Sequence, residues 1–478
     1  MEATLATVNP ATWPGGDDAA RHARHRARYR ELAGEYARRP DWSAGQILAE
    51  RQRALRELIA VAKARSPWHA RRLAGIDPRE VTEGNLAGLP VMTKADLMEN
   101  FDEIVTDRRL TRRLCESHLE SADGGRDAWL LGEYHVVASG GSSGLRGVFV
   151  YGWDAWAICY SSIVRFQRRA WAADPALADV PRRTAVVAGS SPRHLSSAIN
   201  LTFSRPRAGG RALLSVGQRA AEIVAGLNRI EPTVLMCYSS FLPALAAQAA
   251  DGRLRIAPRQ VIGLAEPLLP EISEVVAAAW GVRPVSNYGM SEGLFARSCG
   301  QGLHLPDDLC ITEPAGPGGA VVGPGTPSRT VYVTNLYNPV LPLIRMEVTD
   351  EVTVLAQGCP CGCAFKLIGA PQGRLDELFG YPGGLVVHPH VFRARLSTQP
   401  GILAYQVRQT PGGADIAIVP APGAAAGAWR GAIARIEAQV TAALADIGLP
   451  GAQVRVTAAG ALERTAAGKL RRFVPLPP

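Results

Sequence analysis

One stretch rich in serine and glycine combines the residue types that bind phosphate groups. Residues 139–147 read Ser-Gly-Gly-Ser-Ser-Gly-Leu-Arg-Gly. Glycines let backbone amides approach an anion closely and hydroxyls add donors, so this segment predicts a phosphate-binding loop. It also matches the G-x-S-x-G pattern of hydrolases, but that turn needs a helix after it, and residues 147–151 look like a strand. A Walker A loop ends in Gly-Lys-Ser/Thr, where this chain has Leu145-Arg146. A plain surface loop is the alternative.

Two further segments carry side chains suited to a nucleotide and its metal. Residues 286–293 read Ser-Asn-Tyr-Gly-Met-Ser-Glu-Gly, in which a tyrosine ring suits a purine and a carboxylate suits Mg2+. Residues 462–471 contain Lys469, one of only four lysines beside 48 arginines. An ammonium is a compact point charge that arginine does not replace. Taken alone, the first segment also fits an ordinary strand end and the second an exposed tail.

The cysteines cluster towards the end of the chain. Cys299, His304, Cys359 and Cys361 form a Cys3His set of the kind that binds structural zinc, with Cys310 and Cys363 as spare candidates. The N-terminus lacks the basic and apolar segments of a secretory signal, so we expect a reducing compartment, where such clusters indicate metal more than disulfides. Unconnected surface cysteines are the alternative.

The elements that must position these residues alternate between strands and helices. Strands are expected at residues 134–138, 147–151, 184–188, 233–237 and 260–263, and helices at 219–230 and 242–250. Residues 47–64 have helical spacing, with Leu48, Leu55 and Leu58 on one face. Residues 318–355 are β-rich, and the last hundred or so residues look like a separate α+β domain. The alternation predicts an α/β fold.

Composition excludes several classes of protein. With 47% hydrophobic residues the chain has a folded core, and no apolar run approaches the roughly 20 residues of a membrane span. The formal net charge is +9. We interpret the arginine bias as codon composition and the basic segment 21–39 as a solvated helix face, rather than as a surface for nucleic acid or lipid. We therefore expect a soluble cytoplasmic protein without a nucleic-acid or membrane partner.

In this order and at these separations, the three segments resemble the adenylate-forming (acyl-CoA synthetase) superfamily. Within it, the phenylacetate–CoA ligase and coenzyme F390 synthetase branch is the most similar, through Ser66-Pro67-Trp68, residues 89–97 (Leu-Pro-Val-Met-Thr-Lys-Ala-Asp-Leu), Thr334-Asn335-Leu336 and residues 342–345 (Pro-Leu-Ile-Arg). The resemblance covers nearly the whole chain from about residue 47. It implies a large α/β N-terminal AMP-binding domain at 1–373 with a β-rich subdomain, and a small mobile α+β lid at 374–478.

The resemblance also implies roles for individual residues. Those assigned to ATP are Ser139, Gly140, Ser142, Ser143 and Gly144 for the phosphates, Ala265, Glu266 and Pro267 for the adenine and acyl pocket, Asn287 and Tyr288 for adenine, and Asp350 and Arg374 for ribose. Those assigned to chemistry are Ser291 for a phosphate or the substrate carboxylate, Glu292 for Mg2+, Lys469 as the catalytic lysine and Asp376 as the hinge. Tyr238, Ser239 and Phe241 resemble the wall of the acyl pocket. The chain departs from the family at Leu145-Arg146, where relatives have Lys-Pro, and at Asp350, which follows Val-Thr rather than Gly.

The implied activity is ATP- and Mg2+-dependent activation of a small carboxylic acid, aryl or arylacetic, followed by transfer to the thiol of coenzyme A. A rival interpretation passes the acyl group to the thiol of an acyl- or peptidyl-carrier protein, or to an amine. A rival from another class is a zinc-stabilised nucleic-acid-binding protein, which leaves Glu292, Lys469 and the Ser/Gly loop unexplained. The sequence leaves the oligomeric state open, a dimer included.

Overall fold

The computed structural model describes residues 17–121, 129–139, 147–189, 193–203, 211–216, 218, 220–369, 379–387, 390–396, 399, 402–420, 426–464 and 470–476. The chain divides into two compact units. The first unit comprises Met1–Pro181, Ser190–Ala212 and Ser286–Pro371, and the second Arg182–Gly189, Leu213–Val285 and Gln372–Pro478.

Helices and strands alternate through the described residues, as the sequence predicts. The α-helices are α1 (Asp17–Arg38), α2 (Ala44–Arg65), α3 (Pro67–Arg72), α4 (Lys94–Glu99), α5 (Phe101–Ile104), α6 (Arg112–Ser121), α7 (Trp153–Ala173), α8 (Leu195–Phe203), α9 (Ala220–Ile230), α10 (Leu242–Ala250), α11 (Pro270–Trp280), α12 (His390–Leu396) and α13 (Ala426–Asp446). Short 3-10 helices span Arg39–Asp41, Glu83–Gly88, Pro175–Leu177, Ser239–Phe241, Pro317–Gly319 and Pro382–Gly384.

The strands are short and many are buried. They are β1 (Tyr134–Ala138), β2 (Val148–Gly152), β3 (Thr184–Ala188), β4 (Arg211–Ser215), β5 (Val234–Tyr238), β6 (Gln260–Leu264), β7 (Val285–Gly289), β8 (Phe295–Ser298), β9 (Leu303–His304), β10 (Cys310–Ala315), β11 (Thr330–Asn335), β12 (Met346–Val348), β13 (Leu367–Ile368), β14 (Phe379–Tyr381), β15 (Leu385–Val387), β16 (Ile402–Thr410), β17 (Gly413–Pro420), β18 (Gln453–Ala458) and β19 (Phe473–Val474).

The first unit is built from antiparallel strands and the N-terminal helices. Strand β1 pairs with β2, β10-β11-β12 form a second sheet, and β7, β8, β9 and β13 pair in succession. Helix α7 buries most of its length and packs along α1. The core of this unit gathers side chains from all three groups of strands and from α7. The loop between β1 and β2 therefore starts and ends on a buried hairpin.

The second unit contains parallel strands with helical connections. Strands lie in the order β4-β3-β5-β6, and β3, β5 and β6 run parallel. All five residues of β5 are buried, as expected for a parallel strand covered on both faces. A four-stranded sheet, β18-β17-β16-β19, carries α12 and α13 over a separate core.

Most predicted elements are confirmed, with small shifts of boundary. Strands β1 and β3 and helix α10 have the predicted bounds, whereas β2, β5 and β6 end one residue later. Because β2 follows the Ser/Gly loop, the hydrolase turn is excluded. The predicted domain boundary at residue 373 lies outside the described residues and stays a prediction.

The prediction for the face of helix α2 was wrong at one position. Ser43 caps this helix in a capping box with Gln46, and Leu55 is fully buried as predicted. Leu48, however, is 51% exposed, and Ile47 is buried instead. Ile47 packs with Phe166, so at this end of α2 the face that carries Ile47, and not the face that carries Leu48, is packed against the rest of the unit.

No helix among the described residues has both the length and the hydropathy needed to cross a bilayer.

Candidate functional site

Strand β7 carries Asn287 and Tyr288, the two predicted adenine contacts, and Tyr288 contacts Asp350, the predicted ribose contact. The Tyr288 hydroxyl donates a hydrogen bond of 2.6 Å to Oδ2 of Asp350, 62 residues away. Asn287 is buried, and its side-chain Nδ2 has no hydrogen-bond partner among the described residues. A buried donor left unpaired is costly, so this amide fits a ligand acceptor such as a purine nitrogen.

The turn at residues 291–293 follows β7 and is held through its backbone. Each of its three carbonyl oxygens accepts a hydrogen bond from a buried side chain of the same unit. The bonds are Tyr151 Oη to Ser291 O (2.6 Å), Asn335 Nδ2 to Glu292 O (3.0 Å) and Tyr337 Oη to Gly293 O (2.8 Å). Because three donors fix three successive carbonyls, the direction of the Glu292 side chain is set by the fold.

Gly293 is required by this arrangement. Its φ of +100° lies in a region that side chains disfavour. A Cβ at this position would lie 2.1 Å from Nδ2 of Asn335 and 2.8 Å from the Tyr337 hydroxyl. Glycine therefore allows the two donors to reach the turn.

Glu292, the predicted Mg2+ ligand, is only 5% exposed and faces a lysine. Its Oε1 lies 3.7 Å from Nζ of Lys94, the first residue of α4. In the sequence, Lys94 stands only within the motif at residues 89–97, and no role in the site is predicted for it. Its rarity in an arginine-rich chain was the available signal, but linear spacing does not reveal a contact across 198 residues.

Ser139 closes the base of the predicted phosphate loop. Its hydroxyl accepts a hydrogen bond of 2.8 Å from the backbone N–H of Gly147, and its own N–H donates to the Gly147 carbonyl at 2.9 Å. The other predicted residues of this loop, and three from the C-terminal segments, lie outside the described residues: Gly140, Ser142, Ser143, Gly144, Arg374, Asp376 and Lys469.

The predicted acyl-pocket wall in the second unit follows β5. Tyr238 and Ser239 are buried, and burial raises the pKa of Tyr238, whose hydroxyl accepts a hydrogen bond of 3.0 Å from the N–H of Gly189. The guanidinium of Arg464 lies 5.7 Å from the centre of the Phe241 ring, within cation–π range. The three wall residues thus lie at the end of the buried strand β5: Tyr238 is its last residue, and Ser239 and Phe241 belong to the short 3-10 helix that follows it.

The predicted turn at residues 265–267 contacts this wall. The Ser239 hydroxyl donates to the Glu266 carbonyl at 3.1 Å, and Oε2 of Glu266 accepts a hydrogen bond of 2.8 Å from the N–H of Ser240. Ala265 has a φ of +58°, an uncommon conformation for a residue with a Cβ. The turn is therefore strained and fixed to the wall at two points.

The predicted metal ligands come together as one cluster. The ligand atoms of Cys299, His304, Cys359 and Cys361 all lie within 4.8 Å of one another. The sulfurs of Cys299 and Cys359 are 3.5 Å apart, and Cys361 Sγ lies 3.3 Å from Nε2 of His304. Nδ1 of His304 lies 3.0 Å from the Phe365 carbonyl. A proton on Nδ1 bonded to this carbonyl leaves the Nε2 lone pair directed at the sulfurs.

The two spare cysteines lie outside this cluster. Cys310 is fully buried and its sulfur is 3.7 Å from the Gly293 carbonyl. Cys363 is buried with Phe166 and Phe365. The geometry therefore selects the Cys3His set that the sequence put first.

Comparison with known proteins finds likeness in structure alone. No protein-family model and no curated protein matches the chain. The chain is similar to 2-hydroxyisobutyryl-CoA ligase in the postadenylation state in complex with R3-HIB-AMP, with 20% identity, a TM-score of 0.69, and coverage of 92% of this chain and 91% of the ligase. The same ligase in the thioesterification state, in complex with 2-HIB-AMP and CoA, gives a TM-score of 0.55 at 19% identity over the same coverage. The chain therefore has the fold of this ligase, and the predicted α/β fold class is confirmed.

Proposed function

We propose that the protein activates a small carboxylic acid with ATP and Mg2+, forming an acyl-adenylate and pyrophosphate. The observation that carries the proposal is the pair of Tyr288 and Asp350 beside the turn that holds Glu292, with Asn287 next to Tyr288 on β7. A buried amide with no partner among the described residues suits the base, a tyrosine–carboxylate pair suits the ribose, and a buried acid suits the metal of one nucleotide. The shared fold with a ligase solved in complex with acyl-adenylates supports this assignment.

The proposed chemistry is an in-line attack of the substrate carboxylate on the α-phosphorus of ATP. The P–O bond to pyrophosphate breaks as the acyl–O–P bond forms, and both reactants are anions. The residues therefore act by placing positive charge and oriented donors around the developing charge. Lys469 would supply charge at the α-phosphate, and Glu292 would hold Mg2+, which neutralises the triphosphate. Lys94, beside Glu292, adds a further cation there.

For the second step we propose transfer of the acyl group to the thiol of coenzyme A. The thiolate attacks the acyl carbon and AMP leaves, after the C-terminal segment has moved Lys469 away from the site. The similar ligase has been solved in complex with 2-HIB-AMP and CoA. A carrier-protein thiol or an amine is the rival acceptor. An aryl or arylacetic acid is the substrate we propose, by resemblance.

Pyrophosphate release tests the adenylation step directly. The protein is mixed with ATP, Mg2+ and single acids from aryl, arylacetic, short hydroxy, fatty and amino acid classes, with and without coenzyme A. We expect release with an aryl or arylacetic acid, its loss in Glu292→Gln, and its retention in Glu274→Gln, a control at an exposed glutamate. Folded protein that releases no pyrophosphate with any acid contradicts the proposal. Acyl-CoA in the product mixture supports the thiol acceptor, and its absence with turnover of amines favours the rival.

We further propose that Cys299, His304, Cys359 and Cys361 bind a structural Zn2+. Ligands of tetrahedral zinc lie about 3.3–3.8 Å apart, given metal–ligand bonds of about 2.0–2.3 Å. The separations of 3.5 Å and 3.3 Å in this cluster fit that geometry. The site joins the hairpin β8–β9 to the loop before β13. With four protein ligands it leaves no open position for catalysis.

A further inference from the structure

One carboxylate in the second unit accepts backbone hydrogen bonds from two distant segments. Oε2 of Glu266 accepts from the N–H of Ser240 at 2.8 Å, and Oε1 accepts from the N–H of Leu470 at 3.1 Å. Hydrogen bonds to an ionised acceptor are stronger than neutral ones. Both oxygens of Glu266 are therefore engaged by backbone N–H groups.

Leu470 belongs to a segment that we name the lysine hairpin, residues 463–471, of which the structure describes residues 463–464 and 470–471. Arg464 and Leu470 form an antiparallel bridge, so the positions on either side of residues 465–469 are paired. Nε2 of Gln406, on β16, donates to the carbonyls of Glu463 (3.2 Å) and Arg471 (2.9 Å). The base of the hairpin is thus fixed to the C-terminal sheet, while Glu266 approaches it from the segment 213–285.

A second contact joins the lysine hairpin to the same wall. Nη1 of Arg464 lies 3.5 Å from the Ser240 hydroxyl, and its guanidinium lies 5.7 Å from the centre of the Phe241 ring. The hairpin therefore meets the wall segment through the bond to Glu266 and through Arg464. The bond to Glu266 is the shorter of the two and involves a full negative charge.

The backbone around Glu266 is organised in advance for this contact. Pro267 restricts Glu266 to extended conformations, Ala265 is held at a φ of +58°, and the Ser239 hydroxyl donates to the Glu266 carbonyl. A strained turn persists where the surrounding structure fixes it, and such turns occur at functional positions. The carboxylate is therefore held towards the hairpin with little freedom to lose on binding.

We propose that Glu266 is a positioning residue that holds the lysine hairpin, and with it Lys469, in the arrangement used for adenylation. The proposal rests on the proposed function. Glu266 acts through Lys469, whose neighbour Leu470 it binds, and it makes no bond to substrate. When the C-terminal segment moves for acyl transfer, the bond from Leu470 to Glu266 breaks. The two hydrogen bonds from Gln406 remain, because Gln406 lies on β16 of the C-terminal sheet and moves with the hairpin.

The variant Glu266→Gln tests this role, since glutamine has a single acceptor oxygen and its NH2 group faces one of the two backbone N–H groups. We expect acyl-adenylate formation about tenfold slower, with thioester formation from supplied acyl-adenylate unchanged. The matched control is Glu463→Gln, on the same hairpin, where the side chain is 68% exposed and pairs with Arg408. Its adenylation rate should equal that of the wild type. Equal loss in both half-reactions of Glu266→Gln overturns the proposal.

The background Lys469→Ala separates positioning from direct contact with the nucleotide. There Glu266→Gln should cause no further loss of adenylation, because the group it positions is absent. A full additional tenfold loss in that background means that Glu266 acts on ATP itself and overturns the proposal.

Hydrogen–deuterium exchange of the protein without substrates measures the contact independently of turnover. Peptides that cover residues 463–471 should exchange faster in Glu266→Gln than in the wild type or Glu463→Gln. Unchanged exchange overturns the contact and leaves the proposed function standing. A wild type that releases no pyrophosphate with any acid overturns the proposed function, and the role of Glu266 in it, whatever the exchange shows.

Discussion

At the scale of single residues, the proposed chemistry depends most on Lys469. Replacing it by alanine removes one preorganised positive charge from the transition state, so acyl-adenylate formation should fall about 10²-fold or more. Thioester formation from supplied acyl-adenylate should change far less. Single-turnover release of pyrophosphate and of acyl-CoA measures the two steps. Lys63→Ala is the control, because Lys63 donates to the backbone carbonyls of Ala74 and Ile76, which have no role in the proposed chemistry. Equal loss in both steps would contradict this role for Lys469.

The pair of Tyr288 and Asp350 gives a second prediction at this scale. In Tyr288→Phe, Asp350 loses a donor at 2.6 Å and is less well oriented towards ribose. The KM for ATP should rise about tenfold with kcat little changed, since a group that binds ground state and transition state alike affects KM. Steady-state kinetics with varied ATP measures this.

A matched control exists in the same unit. The Tyr134 hydroxyl donates to Asp107 at the same 2.6 Å, away from the proposed nucleotide residues. Tyr134→Phe should lower the free energy of unfolding about as much as Tyr288→Phe does, and it should leave the KM for ATP unchanged. A similar rise in KM in both variants would mean that general loosening of the fold is responsible.

How far the site can be predicted from sequence depends on residue type. The proposed zinc ligands could be selected from the sequence because cysteine and histidine are scarce and their chemistry is specific. Lys94 and Asn335 were missed as site residues, because each reaches the turn at 291–293 from a distant element. A lysine and an asparagine are compatible with many environments, so only tertiary contact identifies their role. Glu266 was predicted to lie in a turn that lines the adenine and acyl pocket, and its two hydrogen bonds to backbone could not be predicted from spacing.

At the scale of elements, the turn at 291–293 must keep its three donors for Glu292 to be directed correctly. In Gly293→Ala, the new Cβ would lie 2.1 Å from Nδ2 of Asn335, so that donor must move. We expect a loss of about 3 kcal/mol in the free energy of unfolding and at least a tenfold loss of adenylation. Denaturant unfolding and pyrophosphate release measure the two effects.

The control is a glycine with similar backbone and open space. Gly325 has a φ of +84°, and a Cβ there would meet no atom within 4 Å. Gly325→Ala should cost about 1–2 kcal/mol of stability and leave adenylation unchanged. An equal loss of adenylation in both variants would refute the link between the turn and Glu292.

A buried histidine on helix α3 should make the free energy of unfolding depend on pH. His69 on this helix is fully buried, and its Nε2 lies 3.0 Å from the Pro342 carbonyl. Burial, followed by the charge of Arg72, lowers the pKa of His69 to about 3. The unfolded chain, with a pKa of about 6.5, binds the proton more readily, so stability falls as the pH drops below that value. Between pH 7 and pH 5 this group should cost about 2 kcal/mol.

Denaturant midpoints at pH 7 and pH 5 measure this loss. His69→Gln keeps a donor for Pro342 but has no proton to bind, so its midpoint should fall less than that of the wild type. The difference between the two proteins isolates His69 from the carboxylates that titrate in both. An identical fall would show that His69 is not the responsible group.

Strands were predicted correctly where a run of apolar residues is buried. They were missed where a strand forms only through pairing with a segment distant in the sequence. Strands β1, β3 and β5 are apolar runs covered on both faces, and their composition alone indicates them. The two-residue strands β9 and β13 have no such pattern, because they exist through pairing: β9 lies between β8 and β13. That pair lies beside the cysteine cluster, so the packing of the proposed zinc site was less predictable than its ligands.

At the scale of the whole molecule, the compact units do not follow the order of the chain. The second unit joins residues 213–285 to residues 372–478, and the first joins the N-terminal segment to residues 286–371. Reading composition along the sequence assigns contiguous domains, whereas bonds such as that between Glu266 and Leu470 span 204 residues. The wall of the predicted acyl pocket thus belongs to the same compact unit as the hairpin that carries Lys469.

The proposed zinc site gives a prediction for the stability of the whole protein. When the concentration of free zinc is about a thousand times the dissociation constant, zinc binding stabilises the folded state by about 4 kcal/mol. Purified protein should contain one zinc per chain, and Cys361→Ser should lose most of that zinc and unfold at lower denaturant. At temperatures well below unfolding, its adenylation rate should be close to that of the wild type, because the four ligands leave no position for substrate.

Cys363→Ser is the control, two residues away and outside the cluster, where Cys363 is buried and Cys361 is partly exposed. It should keep its zinc while losing some stability from the buried hydroxyl. Zinc content by elemental analysis and denaturant midpoints, with and without chelator, compare the two variants. If chelator shifts the midpoint of the wild type and of Cys363→Ser but not that of Cys361→Ser, zinc stabilises the fold through these four ligands. Protein purified without chelator that contains no zinc would contradict the assignment.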